Sequence, residues 1–126
     1  MAICNVTFEN FWGEELKTVT IYCSDNSINL KPKENNIYFL RSISHIKDKE
    51  IVSDGLTFDY NPDKKTFWRV QFTTLYDQFW ISIHDFTCAI KPEDNHRIIL
   101  GVNGESKRLY AAFPASSSCS TELFVV

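Results

Sequence analysis

The chain has 126 residues, 44% of them apolar and 14% aromatic, with a formal net charge of −3. That length buries roughly two-thirds of the unfolded surface, enough for one domain, residues 1–126, that needs neither a metal nor a disulfide to fold. The acidic balance excludes a protein living on phosphate contacts, so no nucleic-acid partner is expected.

The closest approaches to a basic run, Asp63-Lys64-Lys65 and Lys107-Arg108, read as solvated turns. Aromatic residues are spread along the whole chain, which suits the half-buried surface of a pleated sheet. A single Met and few Ala weaken a helical reading. The expected fold class is therefore all-β.

Met1 to Asn5 lacks the basic and long apolar regions of a signal peptide. No stretch approaches the ~20 apolar residues of a membrane span. The expectation is a soluble protein that is cytoplasmic, exported by an unusual route, or already processed.

Ile3 to Phe8 reads as the first strand, with Val6 and Phe8 alternating against Asn5 and Thr7. Asn5-Val6-Thr7 is also a glycosylation sequon. A loop from Glu9 to Glu15 carries Phe11, Trp12 and Gly13, and Leu16 to Cys23 is the second strand. Ser24 to Ser27 is a turn cluster, followed by a proline-punctuated connection through Pro32. Ile37 to Ile43 alternates again, His45 to Glu50 reads as a polar turn, and Ile51-Val52 is a short apolar patch. Asp54-Gly55 signals a turn, Leu56 to Tyr60 a short strand, and Asn61 to Lys65 another turn.

The most strongly patterned stretch is Trp68 to Ala89. Trp68, Val70 and Phe72 alternate with Arg69 and Gln71, and Phe79, Trp80, Ile81 and Ile83 supply a partner strand. Thr73 to Gln78 is the tip of this hairpin. Lys91 to His96 is a loop, and the strands Ile98 to Val102 and Leu109 to Phe113 flank Asn103-Gly104, a tight-hairpin signature. A Ser-rich loop from Pro114 to Ser120 precedes a final strand, Glu122 to Val126. Recurrent turns between short strands predict an antiparallel β-sandwich or barrel, with the sandwich preferred.

The sequence carries no signature of an enzyme. Neither G-x-S-x-G, H-E-x-x-H, a P-loop nor G-x-G-x-x-G is present. His84 and Asp85 are adjacent, so within a strand they point to opposite faces and form no dyad. His45 reads as solvated. Glu93, Asp94 and His96 crowd one loop but lack the regular oxygen spacing of a calcium site, and no metal or other cofactor is expected. Cys119 has no base nearby in sequence, which argues against a nucleophile.

The four cysteines, at 4, 23, 88 and 119, form no C-x-x-C pair. They allow two disulfides in three connectivities, or four buried thiols. A Cys88–Cys119 bridge is the favoured pairing if one exists, because a sandwich can bring those late segments together.

Binding is the better prospect. Trp12, in the loop after the first strand, and Leu75-Tyr76, in the central hairpin tip, place large apolar groups where turns are normally polar. Such groups stack on sugar rings or lie at a lipid headgroup boundary. The reading favoured for such loop aromatics is that they fold back and plug the end of the sandwich, because open sandwich ends need covering. The resulting expectation is a non-catalytic module for glycans or membrane lipid headgroups, with Trp12, Leu75 and Tyr76 as ligand-binding residues. The competing expectation is a protein–protein interaction or effector module that uses an exposed sheet edge or the same tip.

The second half resembles a known family on the pattern Trp68-x-Val70-x-Phe72, Phe79-Trp80, Phe86-x-Cys88, Pro92-Glu93-Asp94, Asn103-Gly104, Leu109-Tyr110 and Ser116-Ser117-Ser118-Cys119. It is similar to the small domain named for genes up-regulated in long-lived Daf mutants of nematodes, over roughly residues 66–120. The resemblance implies a compact β-sandwich in which the two late cysteines recur, and it implies no reaction. Leu75-Tyr76 departs from the small polar tip of that family. A more distant likeness, in size and style alone, is to aegerolysin and actinoporin-like sandwiches, an analogy of fold.

Overall fold

A computed structural model describes residues 2–24, 38–53, 56–60, 66–82, 86–87, 90, 96–113 and 118–126. Its strands in chain order are β1 (Ala2–Phe11), β2 (Leu16–Ser24), β3 (Tyr38–Ile46), β4 (Ile51–Val52), β5 (Thr57–Tyr60) and β6 (Phe67–Thr74). They continue with β7 (Phe79–Ile81), β8 (Phe86–Thr87), β9 (Arg97–Asn103), β10 (Arg108–Ala112), β11 (Cys119–Glu122) and β12 (Phe124–Val125). The strands form a β-sandwich of two sheets. Sheet A runs β11-β10-β9-β1-β4, with β5 also on β1, and sheet B runs β12-β7-β6-β2-β3, with β8 also on β6. Among the described residues no helix is long and apolar enough to cross a membrane.

Period-two patterning builds this core. In β6, Trp68, Val70 and Phe72 are buried while Arg69 and Gln71 are only half-buried. Val6 and Phe8 of β1 point inward from sheet A, as do Ile98, Leu100 and Val102 of β9. They meet Val19 and Ile21 of β2 and the β6 row, all in one buried cluster. Phe58 and Trp68 join the two sheets through an edge-to-face contact at 5.5 Å. Burying each of these large side chains contributes about 1.5–3 kcal/mol relative to exposure.

Three expectations need correction. The first strand does not end at Phe8 but runs to Phe11, because β9 pairs with β1 in parallel as far as Phe11↔Asn103. The final segment is two strands: β11 pairs with β10 in sheet A, and β12 pairs with β7 in sheet B. The buried Leu123 sits where the chain changes sheets. Finally, Asn103-Gly104 is not a two-residue turn, since Asn103 pairs with Arg108 across a four-residue loop. Asn103 Oδ1 accepts hydrogen bonds from the backbone N–H groups of Glu105 and Ser106, an Asx arrangement that shapes this loop.

Candidate functional site

The registers bring four connections to one end of the sandwich: residues 12–15, 47–50, 75–78 and 104–107. Each contains one residue in the left-handed region, respectively Gly13, Lys49, Asp77 and Lys107. The β1–β2 connection is the hub. Lys49 N–H donates to Asn10 O at 2.8 Å, and Asn10 N–H donates to Glu50 O at 3.0 Å. Gly104 N–H donates to Phe11 O, and Leu75 N–H donates to Glu15 O, both at 3.0 Å.

Asn10 pins this hub from inside. It is fully buried, and its Nδ2 donates to the carbonyls of Glu14, Ile46 and Lys47 at 2.9–3.1 Å. Its Oδ1 accepts from Trp12 N–H at 3.0 Å. A buried amide can be tolerated here because donors and acceptor are all engaged. Gly104 is fixed by space: an added Cβ would lie 1.8 Å from Trp12 O.

Trp12 is not an exposed platform. It is only 7% exposed and packs edge-to-face against Phe72 at 4.9 Å and Trp80 at 4.8 Å. Lys107 Nζ covers it at 4.8 Å from the ring centroid. Its indole therefore closes the end of the core rather than standing out as a free platform, while Trp12 also lines the depression beside it. Leu75 and Tyr76 do project from the β6–β7 tip, 42% and 77% exposed. Asp77, beside them, forms an ion pair with Lys17 that holds the tip against β2.

Beside the hub lies an open depression of about 500 Å³ lined by Phe11, Gly13, Asp48, Lys49, Asn103 and Glu105, among others. Phe11, 40% exposed, offers a ring face. Asp48 and Glu105 bring carboxylate acceptors and Lys49 a donor. Asn103 engages its oxygen in the loop, and its side chain also lines the depression. An aromatic face beside carboxylates and an amide can stack on a sugar ring and bind its hydroxyls.

The other candidates separate. His45 is exposed at the end of β3 rather than in a free turn. His96 Nδ1 is hydrogen-bonded to the buried Tyr60 hydroxyl. His84, Asp85, Glu93, Asp94 and the turn Asp54-Gly55 lie outside the described residues, and so does Cys88. Cys119 is disulfide-bonded, while Cys4 and Cys23 are buried in the core. Burial pushes the Cys4 thiol up to about 12, far from a reactive thiolate. Among the described residues no three His, Cys, Asp or Glu side chains gather as metal ligands.

Sequence reasoning passed over Phe11, Asp48, Lys49, Asn103 and Glu105. Phe11 was visible beside Trp12 in the expected loop, but strand alternation decides between them: odd-numbered residues of β1 point outward. No family model matches the chain, and no curated protein does either.

Proposed function

We propose that this chain is a non-catalytic binding module that recognises glycans or lipid headgroups at the loop-bearing end of its sandwich. The observation that carries this reading is the exposure of Leu75 and Tyr76 at the same end as the depression lined by Phe11, Asp48, Asn103 and Glu105. Neutral glycans are favoured over anionic headgroups, because Asp48 and Glu105 outnumber Lys49 in the lining. A glycan array and liposome pelleting test it, using wild type, Tyr76→Ala and Phe11→Ala. Binding that both substitutions weaken supports the reading. Silence on both platforms from folded protein overturns it.

A protein partner is the second reading. It is supported by β3, which pairs only with β2 among the described strands and leaves a sheet edge for strand addition. Capture of a partner by wild type but not by a variant with proline in β3 would favour it.

A further inference from the structure

A second depression of about 500 Å³ opens on the outer face of sheet A, lined by Asn5, Thr7, Ser53, Arg97 and Ile99. It forms where β1 changes partners, pairing with β5 through Asn5 and with β4 from Phe8 onward. The parallel register sets Arg97 beside Asn5 and Ile99 beside Thr7. Extending the β1–β4 register by one residue brings Ser53 abreast of Thr7. Asn5 N–H donates to His96 O at 2.9 Å and Val6 N–H to Leu56 O at 2.8 Å, so the backbone behind the groove is tied down. Arg97 opens β9 and the first site lies past its far end, so the two are about 20 Å apart along the strand.

The chemistry of this lining is specific. Arg97 carries its only formal charge. Among the described residues Arg97 has no ion pair and no side-chain hydrogen bond, and neither do the side chains of Asn5, Thr7 and Ser53 have one. Among the described residues Asp59, opposite Ile3 in the β1–β5 ladder, is the nearest carboxylate by register, and it does not pair with Arg97. A single guanidinium presents a planar fork matched to one carboxylate. A phosphate dianion calls for further positive charge, and among the described residues of the lining Arg97 is the one that carries any. The amide and two hydroxyls suit neighbouring hydroxyl groups, and Ile99 suits a ring face.

We propose that this groove binds an acidic sugar, with Arg97 taking the carboxylate and Asn5, Thr7 and Ser53 taking ring hydroxyls. The proposal is independent of the loop-end site.

The test is an NMR titration of ¹⁵N-labelled protein made in bacteria, where Asn5 of the Asn-Val-Thr sequon carries no glycan. The probes are glucuronate, glucose and inorganic phosphate, and the proteins are wild type, Arg97→Gln, Arg97→Lys and Tyr76→Ala. Glucuronate is expected to give saturable shifts at Asn5, Thr7, Arg97 and Ile99, with glucose and phosphate at least tenfold weaker. Arg97→Gln should weaken glucuronate at least tenfold without otherwise changing the spectrum, Arg97→Lys should weaken it less, and Tyr76→Ala should leave it unchanged. No saturable shift, equal binding of glucose or phosphate, or full binding by folded Arg97→Gln overturns the proposal. So does loss of binding in Tyr76→Ala.

Discussion

Replacing Trp12 by Ala separates a core plug from a ligand platform. The indole is 7% exposed and meets two aromatic rings edge-on, with a lysine over its face. Truncating a buried Trp costs about 3–5 kcal/mol through lost transfer energy and the cavity left behind. The contacts with Phe72 and Trp80 each carry about 0.5–1.5 kcal/mol beyond burial, so the upper half of that range is expected. Against a total of about 5–15 kcal/mol, such a loss leaves a marginal fold, with a melting temperature lower by on the order of 15 °C. Urea unfolding followed by far-UV circular dichroism measures it. Trp12→Phe, which keeps a ring in the gap, should recover about half the loss. An exposed platform would instead cost within about 0.5 kcal/mol. A measured loss below about 1 kcal/mol for Trp12→Ala would refute the plug.

Other outcomes follow from the same geometry. Asn10→Ala removes an amide that serves three carbonyls and one N–H, and should cost about 3 kcal/mol in urea unfolding. Gly104→Ala forces a Cβ against the Trp12 carbonyl and should cost at least about 2 kcal/mol, while Glu105→Ala on the same loop should be near neutral. Tyr110 donates to Glu9 at 2.8 Å, and burial, that hydrogen bond and the Glu9 charge together raise its pKa above the usual phenol value. The folded state then holds a proton that the unfolded state has lost, so this contribution is full below pH ~10 and declines as pH rises above it. Ultraviolet titration should show a late-ionising tyrosine step that Tyr110→Phe removes. Tyr76→Ala should leave stability within about 0.5 kcal/mol, because the side chain is largely solvated.

The strands were readable where one face is buried and the other is not. β2 and β6 alternate in sequence as they do in burial, so their faces followed directly from residue type. Between plug and platform the sequence could not decide for Trp12, because it shows that a large ring sits near a turn but not which way the turn folds it. That direction depends on Asn10 just before it and on Gly104 and Lys107 of the distant β9–β10 loop. The change of sheet at Leu123 was hidden for a related reason. Glu122 to Val126 looks like one strand locally, and only pairing with β10 and then β7 divides it. The Arg97 groove was equally illegible, since nothing local places Asn5 beside Arg97.

That pairing of Asn5 with Arg97 bears on how the molecule is made. β1 leaves the ribosome well before its parallel neighbour β9, since Arg97 follows its partner Asn5 by 92 residues. Until β9 arrives, one edge of β1 has no partner, and sheet A cannot be completed. Closing so long a loop before any contact rewards it slows folding, and places this chain with slow, non-local β-proteins. During synthesis that edge of β1 keeps its backbone N–H and C=O groups unpaired, which is when chaperone binding or edge-to-edge aggregation would compete with folding.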